Sequence, residues 1–91
     1  MQITVHFLGQ ARHLAPSGQT AVEAAENSSV DGLISTLLSG APAPLRDLLA
    51  DGPRLRRSVM AIVGEETIDP SEEGLLQDGD ELSLLPPMSG G

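Results

Sequence analysis

The chain of 91 residues contains no cysteine, no lysine and only one aromatic residue, Phe7. The absence of cysteine excludes disulfide bonds, thiolate metal sites and a thiol nucleophile. All five basic residues are arginines, so no lysine amine is available to capture an activated acyl group. A base-composition bias toward arginine explains the missing lysine more simply, so that absence does not by itself indicate a function.

Long hydrophobic segments are also missing. The unbroken apolar runs span only a few residues, as at residues 59–63, whereas a membrane-spanning helix needs about 20. No basic segment followed by an apolar segment opens the sequence, so we expect a cytoplasmic protein rather than a secreted one.

The charge of the chain is strongly negative. Thirteen acidic residues stand against five basic ones, for a formal net charge of −8. Nucleic acids and anionic membranes both attract lysine and arginine, so we expect neither as a partner. A basic protein partner suits this charge, because complementary fields speed encounter. The alternative is that the acidic surface only keeps a small protein soluble.

The opening residues predict a β-hairpin. The length permits a single domain, and an apolar content of 40% suffices for a packed core. Residues 2–8 alternate with period two, which places Ile3, Val5 and Phe7 on one face of a strand. A second alternating segment, residues 20–24, predicts the partner strand.

Two helices are predicted after the hairpin. Residues 27–29 offer N-cap side chains, and apolar residues then recur at helical spacing over residues 30–38. Gly40 and the following prolines end this amphipathic helix. A second, short helix is predicted at residues 45–50.

The second half of the chain predicts further strands. Residues 59–63 form a continuous apolar run, which is typical of a central strand buried on both faces. A short edge strand follows at residues 67–68, a tight turn at 77–80 and a last strand that ends at Leu85. We therefore expect a two-layer α+β domain over residues 1–85, with a mixed sheet covered by one main helix, and a tail over residues 86–91. We also expect Leu75 and Leu76 to turn back toward the core. The predicted core contains Ile3, Val5, Phe7, Leu33, Leu37, Ile62, Leu82 and Leu84.

Ordinary catalytic groups are sparse. No motif surrounds His6 or His13, which we expect on a solvent-facing strand position and in a loop. Neighbouring acids in turns are typically solvated, and Asp78 and Asp80 fall far short of a calcium-binding loop. No metal site and no phosphate-binding loop are predicted.

The C-terminus is the distinctive segment. Six residues follow the last strand: Pro86, Pro87, Met88, Ser89, Gly90 and Gly91. At average glycine usage, two terminal glycines arise by chance roughly once in two hundred sequences. The prolines stiffen the exit, and a glycine carboxyl without a Cβ can enter a narrow channel. This tail suits a carboxylate that another enzyme activates.

The chain resembles the ubiquitin-like β-grasp sulfur carriers, of the molybdopterin synthase small-subunit and ThiS type. The resemblance covers essentially the whole chain, and four segments carry it: residues 7–12, 30–38, 78–81 and 84–91. The ending is the specific part, because two prolines, a hydrophobic residue, a small polar residue and Gly-Gly are similar to the end of the molybdopterin synthase small subunit.

The resemblance implies a chemistry for the tail. An activating enzyme uses ATP to adenylate the carboxyl of Gly91, and a sulfur donor protein then replaces AMP to leave a thiocarboxylate. The tail next enters the large catalytic subunit of molybdopterin synthase, where the sulfur passes to a pterin precursor. The chain would be a co-substrate that holds no permanent cofactor.

The resemblance also implies a docking surface. If the first and last strands are adjacent and parallel, as in β-grasp folds, Leu8 and Leu85 share one exposed patch at the base of the tail. Such a patch is typical of a partner-docking site, although isolated exposed leucines are ordinary.

Three alternatives stay open. A related carrier could serve cysteine, thiamine, tRNA thiolation or a secondary metabolite. A ubiquitin-like modifier could be joined to lysines of other proteins. An interaction domain could carry an inert tail.

Overall fold

The described residues form a five-stranded mixed sheet, a separate two-stranded sheet and three helices. The computed structural model describes residues 1–52, 54–70 and 76–87. Its elements, in chain order, are β1 (Gln2–Phe7), α1 (Gln10–Leu14), β2 (Gln19–Glu23), α2 (Val30–Ser39), α3 (Ala43–Leu49), β3 (Ala50–Asp51), β4 (Arg54–Leu55), β5 (Met60–Val63), β6 (Glu66–Ile68) and β7 (Glu81–Leu85). The strand order in the main sheet is β2-β1-β7-β5-β6, and β3 and β4 form a separate two-stranded sheet.

The predicted opening hairpin is confirmed. β1 and β2 pair antiparallel, with Ile3 opposite Val22 and Val5 opposite Thr20. On its other side β1 pairs in parallel with β7, where Phe7 lies opposite Leu84. The first and last strands of the chain are therefore neighbours in the interior of the sheet.

The main helix forms as its sequence predicts. The side chain of Ser29 accepts a hydrogen bond from the Gly32 N–H at 3.0 Å, which caps the N-terminus of α2. Asp31 lies in the first turn, where the helix dipole favours a carboxylate. The second predicted helix is α3 of the structure. It begins at Ala43, two residues earlier than predicted, because Pro44 is well tolerated in the first turn of a helix.

One hydrophobic core lies between the sheet and the helices. No polar or charged side chain is buried among residues 1–52, 54–70 and 76–87. The fully buried large side chains are Ile3, Val5, Ile34, Leu45, Leu49, Leu82 and Leu84. Leu37, which we expected in the core, is half-buried and packs against it.

β5 is an interior strand of the sheet, as predicted, but the expectation that it is buried on both faces is wrong. β5 lies between β7 and the edge strand β6, and its Met60 is 44% exposed while Ala61 is buried. Ile62 lies opposite Ser83 and outside the buried core, so its assignment to the core is also wrong. The helices cover only one face of the sheet, and alternate residues of β5 must point to the other face.

α1 was not predicted. Gly9 precedes it with φ 58° and ψ −136°, a conformation that reverses the chain and that glycine adopts without steric cost. The turn lets Ala11 reach the core, although the helix that follows is only five residues long. His13 therefore lies on a short helix rather than in a loop.

The predicted turn before β7 is confirmed and holds the first strand. Asp78 accepts a hydrogen bond from the Gln2 N–H through Oδ1 at 2.7 Å, and the Gly79 N–H donates to the Gln2 carbonyl at 2.9 Å. Asp80 accepts one from the Gln77 N–H at 2.8 Å. The two acids therefore shape a turn. Leu76 is buried as expected, and Leu75 lies outside the described residues.

We predict that Phe7→Ala lowers the free energy of unfolding by about 3–5 kcal/mol, because Phe7 is only 4% exposed in a small core. That loss is most of the stability of a domain with roughly 5–10 kcal/mol in total. Urea denaturation measures it. Leu37→Ala, at a half-buried position of α2, should cost clearly less; equal costs would contradict this packing.

Candidate functional site

An apolar patch lies on the face of the sheet that no helix covers, here called the open face. Register places Leu85 of β7 opposite Met60 of β5, and Ile62 beside them on the same face. Leu8 follows the end of β1, and its N–H donates to the Leu84 carbonyl at 3.0 Å, which sets Leu8 next to Leu85. We call these four residues, Leu8, Met60, Ile62 and Leu85, the open-face patch.

The open-face patch is accessible. Among the described residues, the exposed large hydrophobic side chains are Leu8, at 36% exposure, and Met60, at 44%. Leu85 and Ile62 are half-buried beside them. The sequence predicted Leu8 and Leu85, and the structure brings them together. The sequence analysis did not place Met60 and Ile62 on this surface. Strict alternation of buried and exposed residues within 59–63 would have identified both.

Polar side chains border the patch along β1 and β7. Nε2 of His6 lies 2.7 Å from Oε1 of Glu81, and Ser83 lies between this pair and the patch. His6 is half-exposed on the open face, as expected from the alternation of β1. An apolar centre with a polar border is the composition of a protein-docking surface rather than of a catalytic pocket.

The chain leaves the body beside this patch. β7 ends at Leu85, Pro86 is buried, and Pro87 is exposed. Neither proline has a backbone N–H to donate, so sheet pairing ends here. The predicted tail residues Met88, Ser89, Gly90 and Gly91 lie outside the described residues, so their roles stay predictions.

The small size of Gly9 determines how closely the turn after β1 packs against the point where the chain leaves β7. A Cβ at Gly9 would lie 3.2 Å from Cδ1 of Leu85 and 4.0 Å from Cδ of Pro86. The missing side chain lets the turn after β1 pack directly against the end of β7. The sequence resemblance included Gly9, but only the structure shows what its small size permits.

A groove lined by residues 54–61 and 67–70 lies beside the beginning of β5. It has a volume of about 840 Å³, and arginines and aspartates line it, including Arg54, Arg57, Asp31 and Asp51. Within the described ranges, no group of three or more histidine, aspartate or glutamate side chains is arranged to hold a metal ion.

No helix among the described residues is long and apolar enough to cross a membrane.

Comparison with known proteins gives a family match over nearly the whole chain. A family model described as the ThiS family matches residues 5–91. The molybdopterin synthase sulfur carrier subunit of Chlamydomonas reinhardtii is 24% identical over 91 residues, which cover 100% of both chains. The match therefore includes the tail as well as the folded body.

Solved structures share the fold. The crystal structure of SAMP1 from Haloferax volcanii has a TM-score of 0.83 at 22% identity and covers 100% of both chains. A chain of the BexX/CysO complex from Amycolatopsis orientalis has a TM-score of 0.62 at 27% identity, and the match covers 98% of this chain and 99% of that one. The expected ubiquitin-like β-grasp fold is confirmed.

We predict that Gly9→Ala destabilises the protein by about 1 kcal/mol more than Gly64→Ala does. Both glycines have positive φ, 58° and 63°, but a Cβ at Gly64 meets nothing within 4 Å. The alanine at position 9 must also push Cδ1 of Leu85 away by a few tenths of an ångström, whereas Pro86 stays at an ordinary contact distance. Thermal and urea unfolding of the two variants measure the difference, and equal losses would contradict the close packing described for Gly9.

Proposed function

Since the chain belongs to the ThiS family, we propose that it is the sulfur carrier of a molybdopterin synthase and that the carboxyl group of Gly91 carries the sulfur. The observation that supports this function most directly is the full-length similarity to a molybdopterin synthase sulfur carrier subunit. The shared length matters because a carrier tail must reach a fixed depth in its partner.

The proposed chemistry activates a carboxylate that is otherwise inert. The Gly91 carboxylate attacks the α-phosphorus of ATP in the activating enzyme, and pyrophosphate leaves. Sulfide-level sulfur, supplied by a sulfur donor protein, then attacks the carbonyl carbon of the acyl adenylate. A C–S bond forms, the C–O bond to AMP breaks, and a C-terminal thiocarboxylate remains. The chain has neither cysteine nor lysine, so it offers the activated carbonyl no competing side-chain thiol or amine.

The open-face patch suits the docking step of this cycle. It lies where β7 ends, so a partner that covers Leu85 also receives the residues that follow Pro86. Burial of such an apolar patch supplies affinity, and the stiff prolines lower the entropy cost of ordering the tail. We propose that the activating enzyme and the large catalytic subunit of the synthase both bind this surface in turn.

The second candidate function is a ubiquitin-like protein modifier. The similarity in fold to SAMP1, a small archaeal modifier protein, favours it. Both functions begin with adenylation of the terminal carboxyl, and they differ in the nucleophile that follows. Sulfur gives a free thiocarboxylate, whereas a lysine amine gives an isopeptide bond to another protein. Similarity to a chain of the BexX/CysO complex likewise keeps a carrier for another sulfur pathway open.

We predict that Leu85→Asp and Met60→Asp each weaken binding to the activating enzyme and to the synthase subunit by about tenfold or more. A partner that covers the patch would have to bury the new carboxylate in an apolar contact. Ser35→Asp adds the same charge on the exposed side of α2 and should bind normally. Calorimetric titration of the three variants measures the effect. Unchanged affinity of both patch variants for both partners would remove the docking claim.

We predict that deletion of Gly91, or addition of one residue after it, abolishes thiocarboxylate formation or sulfur transfer. Either change moves the carboxyl by about 3.5 Å, and a displacement near 1 Å already costs about a hundredfold in rate. Intact mass after incubation with ATP, activating enzyme and sulfide reports replacement of oxygen by sulfur.

The melting temperature of both length variants should equal that of the parent, which separates loss of chemistry from loss of fold. Normal turnover by the chain that lacks Gly91 would show that the terminus is not the reactive group. Formation of an isopeptide-linked product by the parent chain, without a thiocarboxylate, would favour the modifier function instead.

A further inference from the structure

The outer edge of β2 is an unpaired strand edge. Two hydrogen bonds show which residues of β1 and β2 bond to each other across the ladder. The Phe7 N–H donates to the Gly18 carbonyl, and the Ala24 N–H donates to the Met1 carbonyl, both at 2.9 Å. Bonded and non-bonded pairs alternate in an antiparallel ladder. The even-numbered residues of β2 therefore direct their backbone groups toward β1.

The odd-numbered residues of β2 direct their backbone groups outward. They are Gln19, Ala21 and Glu23, and the Gln19 carbonyl accepts a hydrogen bond from the Ser17 hydroxyl. Among the described residues, the N–H and C=O of Ala21 and Glu23 face no other strand. Within residues 1–52, 54–70 and 76–87, the edge thus presents two adjacent sets of ladder groups that no other strand satisfies.

β2 lacks the usual features that protect strand edges. Natural edges are blocked by proline, lysine, bulges or inward-pointing charges. β2 has none of these: its register with β1 runs over five consecutive pairs without a bulge, and its single charged residue, Glu23, lies at its end. Such an edge can accept an additional strand.

An apolar cleft lies beside this edge on the helix side of the sheet. Its volume is about 170 Å³, and its lining includes Thr20 of β2, Phe7 of β1, Leu37 of α2 and Leu45 of α3. A cavity of about 150 Å³ accommodates a benzene molecule, so this cleft has room for one aliphatic side chain. A strand added to β2 would direct alternate side chains toward it.

The charges near the edge select the kind of partner. Glu23 and Glu26 are both exposed at its end, and Glu23 approaches the Met1 amine only to 3.8 Å. A second copy of the chain carries the same net charge of −8, so pairing of two β2 edges brings together strongly like-charged bodies. A basic segment meets no such repulsion from the net charge, although Arg12 lies beside Gly18, just before β2.

We propose that the outer edge of β2 binds an extended, basic segment of a partner protein, which adds to the sheet as a further strand and places an aliphatic side chain in the cleft of Thr20, Leu37 and Leu45. The added strand would lie about 14 Å from β7, three strand spacings away. A partner held at this edge leaves the open-face patch and the tail free, so the carrier could be tethered while its terminus reacts.

The probe is a synthetic acetylated peptide, Lys-Lys-Val-Ile-Val-Ile-Lys-Lys amide, titrated into the ¹⁵N-labelled full chain. We expect shifts at residues 19–23, slower hydrogen exchange of the Ala21 and Glu23 amides, and contacts between the peptide and the methyl groups of Leu37. Leu85→Asp should bind the peptide normally, which separates this proposal from the proposed function.

Ala21→Pro is the decisive variant. It removes an outward N–H, and proline is tolerated at an edge where no ladder bond is lost, so the fold should persist. We expect about tenfold weaker peptide binding, whereas Ala21→Val keeps the N–H and should bind within about twofold of the parent. A peptide N-methylated at alternate residues tests the same hydrogen bonds on the unaltered protein and should also bind about tenfold more weakly.

Three results would overturn the proposal. The first is peptide shifts confined to the open-face patch. The second is equal binding of the N-methylated and unmodified peptides. The third is concentration-dependent shifts at residues 19–23 without peptide, with slower tumbling, which would assign the edge to a second copy of the chain.

Discussion

The parallel pairing of β1 with β7 is the contact on which the rest of the molecule depends. It joins the first strand of the chain to the last described one, and it places Val5 beside Leu82 and Phe7 beside Leu84 in the core. Closing so long a loop costs conformational entropy, and the buried side chains of these two strands offset that cost. The turn that contains Asp78 holds the start of the same pairing through the backbone of Gln2.

That one pairing also creates the candidate site. Strand alternation sends successive residues of each strand to opposite faces, so the register that buries Phe7 and Leu84 directs Leu8 and Leu85 to the open face. The helices cover a single face, and the uncovered face keeps an apolar patch at the point where the chain leaves the sheet. The core and the open-face patch are thus two consequences of the same register.

This geometry suggests separate roles for the folded body and the C-terminal tail in the proposed function. The body provides a rigid strand that ends beside an apolar patch, and the tail provides a carboxyl group without a side chain. Among the described residues, no polar or charged side chain is buried, and no group of three or more histidine, aspartate or glutamate side chains is arranged to hold a metal ion. Under the proposed function the activating and transfer steps belong to partner proteins, and the outer edge of β2 offers a separate surface through which one of them could hold the carrier.

Much of this protein is determined by its sequence alone. The alternation of residues 2–8, the cap and apolar stripe of α2, and the turn around Gly79 are local patterns, and local patterns specify local structure. The tail was likewise evident, because two prolines followed by a diglycine need no fold to be noticed.

Tertiary structure decided what local patterns leave open. An apolar run such as 59–63 does not show which of its residues face a helix. The sequence therefore predicts Ile62 in the core, whereas the structure places it on the open face. The turn at Gly9, the short helix that buries Ala11, and the contact of Leu85 with Met60 all depend on neighbours distant in sequence. Only the assembled sheet determines which face the helices leave uncovered, because burial is a property of the layers and not of any one strand.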